Sequence, residues 1–219
     1  MFDRTNYGLA DFLLFSARVY DRMFELHNAA LWPTHFLALV FGGYIVAVAL
    51  KPSRRGARIV FVLLALIWLS IAAVFFAERY ASINWAAVYI VPIFVLQALL
   101  LGLLARRSEA TVISSCGRFS DALTRGVLLF SLLGYPLAVV VLGRPWYGTE
   151  LFAIAPDPTV TATLAFLVMA RGTVALLATI IPLFWVVITS LTLYALGSHQ
   201  FAIAPLAALV CGVAYIRRR

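Results

Sequence analysis

Few residues in this 219-residue chain could do chemistry, and they fall into two sets. Asp157, Glu78, His35 and Asn84 lie at the ends of long apolar runs, together with Glu25, His27 and Glu150. Gln97 is the strongly polar side chain placed nearest the middle of a run, with Tyr44, Ser131, Tyr135, Thr179 and Thr189 as softer neighbours of the same kind. Asp157, Gln97, Glu78, His35 and Asn84 are therefore the candidate ligand-binding residues, because carboxylates, imidazoles and amides set among apolar segments are costly unless they bind something or one another. His27 and His35 flank Trp32-Pro33 at a separation that does not suit metal ligation from one helix. No HExxH, GxSxG, Walker loop or CxxCH pattern occurs. Cys116 and Cys211 are too far apart in sequence, and too few, for a disulfide framework or a zinc site. Neither catalysis nor a metal or cofactor is expected.

The elements that must position these residues are membrane helices. Hydrophobic residues make up 64% of the chain, charged ones 12%, and the mean hydropathy is +1.00. Such a composition belongs to a lipid environment. A helix needs roughly 20 apolar residues to cross about 30 Å of hydrocarbon. Apolar runs at Leu31–Leu50, Ile59–Ala77, Ile83–Ala105, Ala122–Leu142, Pro158–Ala170, Thr173–Leu196 and Phe201–Ile216 suggest an all-α, polytopic bundle of about seven transmembrane helices in one domain, 1–219. The fifth run is short, about 20 Å of helix at 1.5 Å per residue. Either the preceding "LFAIAPD" dips into the membrane or the segment enters and returns.

Charge favours seven crossings with the N-terminus outside. Lys51, Arg54, Arg55, Arg58, Arg106, Arg107, Arg118, Arg125, Arg171 and Arg217 to Arg219 then lie on the cytoplasmic side, while Arg4, Arg18, Arg22, Arg79 and Arg144 face outward with most of the acids. This positive-inside pattern accounts for the net charge of +8 without invoking nucleic acid. The first residues lack the basic start, apolar stretch and small-residue cleavage site of a removable signal.

Residues 1–28 form an N-terminal amphipathic unit. Leu9, Phe12, Leu13, Ser16, Val19, Tyr20 and Met23 share one helical face, and Asp11, Arg18, Arg22 and Glu25 the other. Such a helix lies along the interface, as a cap on the bundle or as a docking element. Trp32, Trp85 and Trp146 fall at outer ends of runs, where indoles suit the headgroup level. Pro92, Pro136 and Pro182 interrupt three runs. Each removes a backbone hydrogen bond and kinks its helix, and such kinks could open a cavity. "FAIAP" occurs at 152–156 and again at 201–205, each copy preceded by Arg-Gly and a run with a central proline, so that 122–219 reads as a possible two-unit helix-hairpin repeat.

"HNAALWP" at 27–33, "INWAAVYIVPIFVLQALLL" at 83–101 and "APDPT" at 155–159 resemble a family of uncharacterised bacterial multi-pass membrane proteins classed as a domain of unknown function. The resemblance covers nearly the whole chain and implies a helical fold and a bacterial inner-membrane location. In that family the middle of the Pro-x-Pro-Thr element is often cysteine. Asp157 stands there in this chain, which removes the thiolate such a site would use.

Six of the seven runs hold no acid or base near mid-depth, which argues against an intramembrane carboxylate relay. The leading expectation is a permease-like or channel-like protein for an ion or small molecule, with a water-reachable cavity at Asp157 or Gln97. The alternative is a non-catalytic accessory subunit that meets lipid, a membrane-protein partner or a second copy of itself. Asp157-Pro158 reads locally as a helix start, the carboxylate capping free N–H groups and proline taking the first helical position. On that reading Asp157→Ala costs about 1 kcal/mol in a denaturation experiment.

Overall fold

The computed structural model describes residues 13–107 and 117–218. Among them the chain is 82% helical without strands. Eight helices follow in order: α1 (Ala17–Ala30), α2 (His35–Leu50), α3 (Arg54–Ser82), α4 (Trp85–Arg106), α5 (Arg118–Val141), α6 (Pro156–Met169), α7 (Thr173–Ala195) and α8 (His199–Ile216). Five of these, α3, α4, α5, α7 and α8, are long and apolar enough to cross a membrane. α1 and α2 pass that test only as a pair, bent by 92°. The seven expected crossings thus resolve into five full-length helices, one bent pair and one helix, α6, that is too short.

α6 explains why the fifth run looked short. It has 14 residues, every one of them buried, with α5, α7 and α8 packed around it. A helix apolar on all sides belongs in the middle of a bundle. Its three threonines would conflict with that position if their hydroxyls were unpaired. Thr159, Thr161 and Thr163 each donate at 2.8 Å to the carbonyl four residues earlier, and Thr163 also accepts the Trp68 indole N–H from α3 at 3.0 Å. The C-terminal end of α6 is closed by Arg218, whose Nη1 donates to Val168 O at 2.9 Å and Ala170 O at 2.7 Å. A cation bonded to the last carbonyls of a helix complements its dipole. α6 therefore ends level with the C-terminus of α8 and begins partway through the bundle. The other half of its path is the connector before it, whose Phe152, Ile154 and Ala155 are buried. Burial of this connector inside the bundle is what the first of the two alternatives for "LFAIAPD" requires.

Entry into α6 is tight. Ala153 adopts φ +65°, a conformation that costs an L-residue roughly 1–2 kcal/mol. Thr159 Oγ1 accepts the Ala153 N–H at 2.9 Å while donating to Ala155 O, and so holds the turn closed. The second FAIAP copy folds differently. Phe201 is half exposed, Ala202 lies in a 3₁₀ turn at φ −86°, and Pro205 sits inside α8 rather than at its first position. The two copies share letters, not conformation.

α1 also differs from its expected register. It starts at Ala17, with Ser16 capping through the Val19 N–H. Its buried face is Tyr20, Met23, Phe24, His27 and Asn28, while Val19 is exposed. The buried face runs one helical position past the expected stripe because His27 and Asn28 find polar partners beneath the helix. Leu9, Asp11 and Phe12 lie outside the described residues.

Each of the three prolines sits where the α-helix is already interrupted. Pro92 follows a 3₁₀ stretch, Trp85–Tyr89, and Pro136 follows a π-helical turn, Phe130–Gly134. Pro182 leaves the Ala178 carbonyl without its usual donor, since the fourth residue along has no N–H. Gln97 of α4 supplies the donor instead: its Nε2 reaches Ala178 O at 2.9 Å, and the residue is fully buried. Gln97 thus repairs a kink. A double-mutant cycle checks this. Gln97→Leu should cost about 1–3 kcal/mol by stranding the carbonyl, and most of that loss should vanish in a Pro182→Ala background, where the backbone N–H is restored.

Candidate functional site

Asp157 is the second residue of α6, after Pro156 at the first position and Ala155 at the cap. This corrects the capping role: the helix starts at Pro156 rather than Pro158, two residues earlier than the sequence suggested, and the Asp157 side chain caps nothing. It reaches across to two neighbouring helices. Oδ1 accepts the Trp185 indole N–H at 2.7 Å, and Oδ2 accepts the Thr189 hydroxyl at 2.7 Å and the Tyr135 hydroxyl at 3.1 Å. Trp185 and Thr189 stand one turn apart on the same face of α7, the spacing that lets both meet one group. Tyr135 follows the π-helical turn of α5, whose extra residue per turn redirects the side chains beyond it. Aromatic rings wall off this centre: Trp185 packs against Phe76 at 4.9 Å and Phe94 at 5.4 Å between ring centroids.

The depth of the carboxylate follows from its partners. Measured back from the end of α7 at Ala195, Thr189 and Trp185 lie roughly 9–15 Å along the helix at about 1.5 Å per residue. Asp157 is 2% exposed. The expected water-reachable cavity is therefore closed here, and an acid lies inside the bundle because a buried connector, which hydropathy counts as an outer loop, carries it inward.

A second buried acid lies between Asp157 and the α1 end of the bundle. Glu150 is 1% exposed, and its Oε1 accepts Arg144 Nη1 at 2.6 Å. Its Oε2 has no partner among the described residues. Arg144 also lies beside Asp21, its Nε 2.9 Å from Oδ1 as an ion pair without hydrogen-bond alignment, and its guanidinium lies 4.8 Å from the Phe24 ring centroid and 5.5 Å from that of Tyr20. Asn28 Nδ2 donates to Tyr147 O at 3.0 Å and Thr149 O at 2.8 Å, and His27 Nε2 donates to Ile154 O at 3.1 Å. α1 is thus fastened over the connector by Asp21, His27 and Asn28. Burial, reinforced by the nearby Asp157 carboxyl and opposed by Arg144, pushes Glu150 up to about 8. Burial pushes His27 the other way, down to about 4.

The remaining candidates do not join this centre. Gln97 belongs to the Pro182 kink, with its Oε1 unpartnered among the described residues. Glu78 is exposed. His35 is half-buried against Trp32, ring centroids 5.7 Å apart. Asn84 caps a 3₁₀ turn through the Ala86 N–H at 3.1 Å. Tyr135 and Thr189 were among the softer polar residues of the sequence, and Ser131 bonds within its own helix, to Val127 O. Trp185, Arg144 and Asp21 were missed. One signal could have found Arg144: it is a basic residue among acids, with Glu150 close behind it.

A family model described as a family of unknown function (DUF6064) matches residues 17–219. The chain belongs to this family. No curated protein and no solved structure matches it. Membership brings no assigned activity, and the chemistry rests on the geometry of Asp157 and Glu150.

Two measurements on detergent-purified protein check that geometry. Asp157→Ala should destabilise by more than about 3 kcal/mol, because it strands three buried donors at about 1–3 kcal/mol each, whereas a cap would cost about 1 kcal/mol. The pH dependence of stability should have a definite sign. Glu150 is raised, so its contribution is complete below pH 4.5 and is lost as pH rises through about 8. His27 is lowered, so its contribution is complete above pH 6.5 and is lost as pH falls through about 4. The two slopes oppose each other between pH 4.5 and 6.5. Melting temperature should therefore decline between pH 6.5 and 8, and Glu150→Gln should flatten that decline.

Proposed function

We propose that this chain is a small permease-like protein of the bacterial inner membrane, multi-pass with its N-terminus outside and C-terminus in the cytoplasm, and that it moves a proton or small cation by way of Asp157 and Glu150. One observation carries the reading. A carboxylate deep in an apolar bundle accepts hydrogen bonds from Tyr135, Trp185 and Thr189, and a second buried acid stands between it and the α1 end. Ionisable groups at such depth are costly and are usually kept for function. Burial that pushes the Glu150 carboxyl well above the usual carboxylate range suits it to exchange a proton near neutral pH.

The sealed packing around Asp157 does not suit a permanently open channel. It suits a carrier with its site closed, which opens on the α1 side when the Asp21–Arg144 pair and the His27 and Asn28 bonds release the connector. Asp157 is the ligand-binding residue in this proposal. Gln97 keeps α7 bent beside it, and Glu78, His35 and Asn84 are left to the approach from the α1 side.

The same dryness also favours the rival reading, a non-catalytic accessory subunit whose packed interior is structural. An apolar groove between α5 and α8, about 430 Å³ and lined by Ala122, Gly126, Phe130, Leu206 and Val210, offers a surface where lipid or a membrane-protein partner could lie.

Reconstitution into liposomes containing a pH-sensitive dye separates the two. An imposed pH gradient should collapse faster than in empty liposomes, and folded Asp157→Asn should lose that flux. Flux equal to empty liposomes, together with a stoichiometric partner in mild detergent, would instead establish the subunit.

A further inference from the structure

A cleft of about 280 Å³ runs between α7 and α8 at the C-terminal end of the chain, with α6 as its floor. Leu164 and Val168 form that floor, Ala208 and Gly212 one wall, and Leu176 and Leu183 the other. The space stays open because α8 presents small residues here, and a Cβ added at Gly212 would meet nothing within 4 Å. Leu176, Leu183 and Ile216 at the rim are exposed on the outer face of the bundle, where a membrane places hydrocarbon.

Length and volume limit what can lie in it. From Ala208 to Ile216 the wall runs about 12 Å at 1.5 Å per residue, most of one leaflet's share of a roughly 30 Å hydrocarbon core. A helix of that length and about 10 Å across would need roughly three times the volume of the cleft. One extended hydrocarbon chain fits, and a partner's helix does not.

Charge limits the occupant further. From residue 158 to residue 219 the sequence holds four arginines and no aspartate or glutamate. Asp121 of α5 lies toward the opposite face of α8, where Ser120 Oγ donates to Ala214 O at 2.7 Å, and is ion-paired with Arg125. Arg218 stands at the mouth of the cleft and touches two of its lining residues. Its Nη1 donates to Val168 O, and its guanidinium carbon lies 3.7 Å from the Tyr215 ring centroid. Nε and Nη2 donate to nothing among the described residues, and neither is closed to solvent. An apolar trough one chain wide therefore ends at accessible, uncommitted guanidinium donors.

We propose that this cleft binds an anionic phospholipid of the adjoining leaflet, one acyl chain laid along Leu164 and Val168 and the phosphate on the remaining N–H groups of Arg218. The open rim leaves the second chain in the bilayer, which suits a two-chain lipid rather than a free fatty acid. Lipid tails are as apolar as the side chains of the cleft, so packing gives the chain its place. Preference for an anion comes from charge-assisted guanidinium–phosphate bonds. Arg218 also closes the last carbonyls of α6, so the bound lipid braces the helix that carries Asp157. The site goes beyond the transport reading and needs no flux to exist.

Native mass spectrometry of the full chain in detergent, titrated with dioleoylphosphatidylglycerol, dioleoylphosphatidylcholine and sodium oleate, tests the site. One saturable phosphatidylglycerol adduct per chain, formed about tenfold more tightly than either of the others, supports it. Gly212→Phe, which fills the cleft from a position with open space, and Arg218→Gln should each weaken that adduct about tenfold. Arg217→Gln removes the same charge five residues from Gly212, on the other side of α8 by helical spacing, and should change it less than about twofold. Equal binding of phosphatidylcholine or oleate, an adduct unchanged in Gly212→Phe, or equal loss in Arg217→Gln overturns the proposal. Gly212→Phe decides the matter if Arg218→Gln does not fold. The titration involves no proton gradient, so failure of this site and failure of the transport reading are read separately.

Discussion

A carboxylate among apolar helices is tolerated only when its oxygens are bonded, and in this chain that requirement falls on Asp157 at the start of a half-length helix. Bringing α6 into the middle of the bundle sets the acid beside Trp185 and Thr189 of α7 and Tyr135 of α5. The departures from regular structure nearby serve the same end. A π-helical turn precedes Tyr135, and Ala153 takes a left-handed conformation so that the connector can turn into α6. Local strain of this kind persists where the surrounding structure over-determines it.

The same logic of supplied partners recurs away from the acid. Gln97 covers a carbonyl freed by Pro182, Arg218 closes the last carbonyls of α6, and the threonines of α6 turn inward on their own helix. Backbone and hydroxyl groups that water cannot reach must be matched inside the protein. In each case the partner lies far along the chain or a full turn away.

α1 grips the bundle through apolar and polar contacts together, with Tyr20, Met23 and Phe24 buried in the core and Phe24 packed on Phe75. Its bonds to the connector run through Asp21, His27 and Asn28, and its aromatic residues cover the Arg144 guanidinium.

Hydropathy alone located the long helices, because an apolar run of membrane length has one stable outcome in lipid. It also marked the fifth run as anomalous, and the placement of arginines separated the two ends of the bundle. Tyr135, Thr189 and Gln97 were visible as polar residues within apolar runs, yet their roles were not, since a hydrogen bond between α4 and α7 or between α6 and α7 leaves no trace in local sequence. Asp157 was legible as a residue and misplaced in space. A one-dimensional reading assigns a short polar break to the surface, and only the packing of α6 against three longer helices carries that break into the interior. The sequence by itself determined where the long helices run and how few acids they hold; the tertiary structure decided where the helices start and stop, that Asp157 and Glu150 are buried and which groups hold them, because those contacts join residues from separate elements.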